Sequence, residues 1–147
     1  LADLYESMGR YQEGAAAAGK GALIYEQCFG ENEEDTASAF CRQGELLFSA
    51  GDAQRGFDTL MLGASRFLSG GNPTDFCAWL QTAHRKLTEL EAAGAGDVDI
   101  SALVVQLWTS GVSMLEAHTP SSARDSALAV AQQSLQQVAL LVDPNQN

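Results

Sequence analysis

Two histidines, three cysteines, an acidic run and one glycine-lysine loop are the features of this 147-residue chain whose types could do chemistry. Gly14-Ala-Ala-Ala-Ala-Gly19-Lys20 matches the G-x-x-x-x-G-K loop, in which backbone amides cradle phosphates. Gly21 follows where a serine or threonine must hold magnesium, and no strand pattern precedes it, so the match is not read as a nucleotide site. Cys28, Cys41 and Cys77 are odd in number, far apart and set in apolar helical surroundings, without a C-x-x-C pair or a histidine at ligand spacing. They read as small reduced thiols of an intracellular protein. His84 and His118 have no acid and nucleophile at a spacing that makes a catalytic group, and read as surface or helix-end histidines. Glu31 to Asp35 lacks the alternating ligands and central glycine of a calcium loop, and reads as a solvated connector that adds negative charge to a helix start. No catalytic residue, metal or cofactor is expected.

The bulk charge narrows the partners. Nineteen acidic against eight basic residues give a net charge of −11, which repels a phosphate backbone, so nucleic acid is not expected. No apolar run reaches the roughly 20 residues of a membrane span, and no amino-terminal stretch has the pattern of a secretory signal. The chain begins at Leu1 without an initiator methionine, which reads as a processed chain or a piece of a longer one.

The elements that must position these residues are helices related by a repeat. A shift of 42 residues superimposes Leu4 on Leu46, Ser7 on Ser49, Gly9 on Gly51, Gln12 on Gln54, Gly14 on Gly56, Gly21 on Gly63 and Ala22 on Ala64, with Tyr25 meeting Phe67. A fixed period between 20 and 50 residues marks stacked supersecondary units. Gly9 and Gly51 are expected to end the first helix of a pair in a tight turn. Second helices are then expected over about Arg10–Phe29 and Asp52–Ser69. Gly14, Gly21, Gly56 and Gly63 fall inside them, each costing up to ~1 kcal/mol relative to alanine, an expense that close approach of a neighbouring backbone would offset. A helix over about Asp35–Ala50 is the first of the second pair. Gly70 to Asp75 stops one helix and caps the next, whose Phe76, Trp79, Leu80, Leu87 and Leu90 recur at threes and fours. Ile100, Leu103, Val104, Leu107, Gly111, Met114 and Leu115 trace a long apolar stripe. Thr119 is expected to cap a final helix with Pro120 in its first turn and an apolar face of Leu128, Ala131, Leu135, Val138 and Val142. That face is expected to seal the stack, and Trp79, Trp108 and Phe76 to belong to the core.

The expected architecture is all-α: one domain of stacked antiparallel helix pairs, with repeats at about 1–34, 35–73 and 74–118 and a capping helix at about 119–143. Leu1-Ala-Asp-Leu-Tyr5, Gly9-Arg-Tyr11-Gln-Glu, Ala22-Leu23, Tyr25, Phe29-Gly30 and Asp35-Thr36-Ala37 have a spacing that resembles the 42-residue tetratricopeptide repeats of kinesin light chains. The likeness covers about residues 1 to 93, with departures at Gly14, Gly21, Gln43 and Ala53. Leu1-Ala-Asp-Leu, Gln43-Gly44-Glu-Leu-Leu and a closing helix near Cys77 to Leu90 also look like the carboxy-terminal helical domain of SET–MYND lysine methyltransferases. Neither that family's zinc cluster nor its cofactor segment is present.

The tetratricopeptide resemblance implies a groove lined by the first helix of each pair: Asp3, Glu6, Ser38, Cys41, Arg42, Glu45, Phe48, Gln81, His84, Arg85 and Thr88. Arg42 and Arg85 would be equivalent positions, able to grip carboxylates of an acidic segment. The implied function is a non-catalytic scaffold or adaptor that binds other proteins or peptide segments, without a small-molecule substrate. The implied location is intracellular, in the cytoplasm and in reach of the cytoskeleton. The competing expectations are an accessory domain of a larger enzyme and a structural subunit embedded in a complex.

Overall fold

The computed structural model describes residues 2–29, 34–94 and 99–142, leaving aside the side chains of residues 2–8, Tyr25, Phe29 and Val142. The connector residues 30–33 and 95–98 and the carboxy-terminal 143–147 lie outside that description. Six helices follow one another in the described residues: α1 (Ala2–Phe29), α2 (Glu34–Ser49), α3 (Ala53–Ser69), α4 (Pro73–Ala92), α5 (Ile100–Ala117) and α6 (Ser122–Val142).

The turns at residues 50–52 and 70–72 share one chemistry. Gly51 (φ 88°) and Gly71 (φ 83°) enter the left-handed region that a Cβ disfavours. Beyond each glycine a backbone amide reaches back into the finished helix, Asp52 to the Leu47 carbonyl and Asn72 to the Phe67 carbonyl. Those same residues cap the next helix: Asp52 accepts from the Arg55 amide at 3.2 Å and Asn72 from the Asp75 amide at 3.1 Å. Pro73 supplies the fixed φ of a first helical residue.

Gly9 departs from its expected role. α1 runs unbroken through it for 28 residues, roughly 42 Å at 1.5 Å per residue, so the first repeat is one long helix and not a pair. The physical difference lies in the residue that follows. Gly51 is followed by the capping Asp52, whereas Gly9 is followed by Arg10, whose side chain has no acceptor to cap a new helix, and the alanine run beyond carries the helix on. The Gly14–Lys20 segment is therefore mid-helix, its amides engaged along the helix instead of lining a phosphate loop.

The interior glycines divide in the same way. A Cβ at Gly44 would lie 2.7 Å from the Leu60 Cβ and backbone nitrogen, and one at Gly63 2.7 Å from the Cys41 nitrogen and Sγ. At Gly56 it would meet the Phe48 ring at 2.8 Å. α2 and α3 thus approach each other backbone to backbone at Gly63, as expected, and at Gly44, which was not foreseen, whereas Gly56 makes room for a side-chain ring. Gly14 and Gly21 do not take the expected role. A Cβ at Gly14 would make only ordinary contact with Leu46, at 3.6 Å, and one at Gly21 would have nothing within 4 Å.

Each helix from α2 onward packs on the next, and α2 also meets α4, α3 meets α5, and α4 meets α6. One continuous core results, with Phe48, Leu60, Phe76, Leu80, Leu87, Leu107, Trp108 and Leu115 at its centre. Trp108 and Phe76 are core residues, as the stripes predict, and Trp79 packs partly buried against the core. α1 lies against α2 through Ala15 and Ala22. It is tied to α3 by Arg66, whose guanidinium faces Glu26 at 3.4 Å and lies 4.5 Å above the Phe40 ring.

α6 is capped by Ser121, which accepts from the Arg124 amide at 3.0 Å, and not by Thr119. Pro120 consequently precedes the cap instead of occupying the first turn. Ala131, Val138 and Ala127 of this helix are buried, with Leu128 and Leu135 packed beside them. By length and composition alone α5 is apolar enough to cross a membrane; in the fold its stripe of Ile100, Leu103, Val104, Leu107, Trp108 and Leu115 is buried.

Candidate functional site

Two of the groove positions lie inside the α2–α3 hairpin. Phe48 is fully buried with its ring over Gly56, and Cys41 is buried with its thiol directed at the Leu60 carbonyl, 3.8 Å away. Both are core because the helix face that meets the α3 glycines cannot also face solvent. Burial pushes the Cys41 thiol well above the ordinary range and the nearby Glu45 carboxylate adds to the shift, so this sulfur stays protonated and inert. Cys77 is also buried and its thiol is raised by burial, whereas Cys28 is exposed.

Arg42, Gln81, Arg85 and Thr88 are exposed, and Ser38 and Glu45 are half-buried. Asp3 and Glu6 fall in α1, with their side chains outside the description. Neither Arg42 nor Arg85 makes an ion pair among the described residues. On α4, Gln81, Arg85 and Thr88 follow at fours and threes and so share one solvent-facing strip. The adjoining turns pack inward or toward α2, where the Lys86 ammonium donates to the Ser49 hydroxyl at 3.3 Å.

His84 borders this strip and is held by tertiary contacts. The Trp108 indole Nε1–H donates to its Nδ1 at 3.0 Å, and the two rings meet edge to face with centroids 6.0 Å apart. An Nδ1 that accepts a hydrogen bond carries no proton, so the ring is neutral with its proton on Nε2. Burial acts in the same direction and lowers the pKa of His84. Thr88 donates its hydroxyl to the His84 carbonyl at 2.9 Å, one turn back along α4.

His84 and Thr88 together enter the wall of a cavity of about 560 Å³ between α4, α5 and α6, completed by Glu91, Ala92, Ser101, Val104, Val138 and Leu141. Gln81 borders a second, smaller cavity of about 250 Å³ between the amino-terminal halves of α4 and α6. Trp108, Glu91, Ser101, Val138 and Leu141 were not marked by the sequence as site residues. His84 and Trp108 are 24 positions apart on different helices, and no periodicity links them. Among the described residues no three histidine, cysteine, aspartate or glutamate side chains converge on a point where a metal could sit.

Comparison with protein-family models, with curated proteins and with solved structures finds no match. The functional reading therefore rests on the geometry of the chain itself.

Proposed function

We propose that the chain is a tetratricopeptide-like stack and acts as a non-catalytic protein-interaction module, a scaffold or adaptor within an intracellular assembly. The observation that carries this reading is the order of helix neighbours. From α2 onward each helix packs on the one that follows and on the one after that. Antiparallel pairs stacked in series give that order, because each new pair lays its first helix beside the previous first helix. α2 and α4 thereby stand side by side, with the exposed Arg42 on one and Gln81, Arg85 and Thr88 on the other. Two guanidinium groups on adjacent first helices suit an acidic segment of a partner, since each can hold a carboxylate bidentately.

Affinity capture with the full chain and with an Arg42→Glu/Arg85→Glu double variant tests the reading. Both positions are exposed, so the variant retains the fold, which its helical circular dichroism checks. The expected outcome is loss of the partners that the unmodified chain retains at low salt. An identical partner set from both chains would rule out the α2–α4 face.

A further inference from the structure

The cavity between α4, α5 and α6 adjoins the arginine strip through Thr88, and its wall has a different charge. Val104, Val138, Leu141 and Ala92 give it aliphatic surface. His84, Thr88 and Ser101 add uncharged polar groups, the imidazole held neutral by the proton that Trp108 donates to Nδ1. Among the described residues of this lining Glu91 is the acidic one, within a chain of net charge −11. An aliphatic wall with a carboxylate beside it selects against anions and favours an apolar stem that ends in a cation. A volume of about 560 Å³ falls within the range of ligand pockets and has room for a long side chain together with an apolar neighbour.

We propose that this cavity is an anchor pocket for a lysine side chain of the bound partner, its methylene stem against Val104, Val138 and Leu141 and its ammonium at Glu91. The proposal rests on the protein-binding reading and deepens it. Such a partner carries an acidic element for Arg42 and Arg85 and a lysine beside an apolar residue for this pocket. The two charge cues of the molecule, an acidic whole and a basic strip, then address different parts of one ligand.

The test uses three capped dipeptides added to the full chain: acetyl-leucyl-lysine methylamide, its norleucine analogue without the charge, and its glutamate analogue. The readout is the Trp108 indole N–H resonance, which reports on the His84 contact at the cavity wall. The lysine peptide is expected to shift it saturably in the millimolar range, the norleucine peptide more weakly and the glutamate peptide not at all. Glu91→Gln is expected to weaken the lysine peptide about threefold, the size of an exposed ion pair, without affecting the norleucine peptide. Ala92→Phe, at an exposed position of the lining, is expected to abolish the response to the lysine and norleucine peptides. Equal responses to the three peptides, no saturable response, lysine binding indifferent to Glu91→Gln, or lysine binding that survives Ala92→Phe would each overturn the proposal. The peptides do not require Arg42 or Arg85, so failure here and failure of the capture experiment are separate results.

Discussion

The contact between His84 and Trp108 is the best-defined polar interaction at the candidate site, and it has a thermodynamic signature. His84 has a lowered pKa in the folded chain, whereas in the unfolded chain it titrates near the ordinary value of about 6.5. As pH falls through that value the unfolded chain takes up its proton first. The stabilisation from neutral His84 is thus complete above about 6.5 and is lost progressively down to the lowered folded pKa. His84→Leu removes both the titration and the acceptor for the buried Trp108 N–H. At pH 7 the variant is expected to lose about 1–3 kcal/mol, the cost of an unsatisfied buried donor. Urea titrations of both chains at pH 7 and pH 5 check this. The gap between them should narrow at the lower pH, and a constant gap would mean that His84 does not carry the effect.

At the scale of helices, the α2–α3 hairpin owes its geometry to backbone contact. Gly44→Ala would press a Cβ against the Leu60 Cβ and nitrogen at 2.7 Å and against the Gly56 carbonyl at 2.9 Å, none of which is a flexible side-chain end. The hairpin must open, at an expected cost of about 1–3 kcal/mol that exceeds the helix-propensity gain of up to ~1 kcal/mol. Gly21→Ala meets nothing and keeps the propensity gain, so it should stabilise the chain by up to ~1 kcal/mol. Thermal unfolding of the two variants separates the cases by opposite signs of the shift in Tm. Two glycines of similar standing in sequence, each in a helix interior, are told apart only by what lies across from them.

For the whole molecule, charge is the dominant non-specific term. Eight basic residues cannot neutralise nineteen acidic ones, and the pairs of Arg55 with Asp52, Lys86 with Glu89 and Arg124 with Asp125 each leave one partner more than half exposed and are individually weak. Self-repulsion therefore opposes the compact state more than these pairs support it. Raising NaCl from about 10 mM to about 300 mM shortens the screening length from ~30 Å to under ~10 Å. The urea midpoint is expected to rise over that range; a fall would show that attractive pairs outweigh the net repulsion.

The helical class, the apolar stripes of α4 and α5 and the positions of the turns at Gly51 and Gly71 were legible in the sequence. Each depends on spacing and on a glycine followed by a capping residue, which are local quantities. The same local logic failed at Gly9, where the glycine recurs but the cap does not, and at Thr119, where Ser121 supplies the cap instead. What the resemblance placed in a groove was divided by tertiary packing. Arg42, Gln81, Arg85 and Thr88 reached the surface, Phe48 and Cys41 entered the core, and His84 was drawn toward Trp108. Periodicity identifies which residues share a helix face. Which neighbour that face meets, whether a glycine-lined backbone, an indole or water, depends on how helices far apart in sequence come together, and that belongs to the fold.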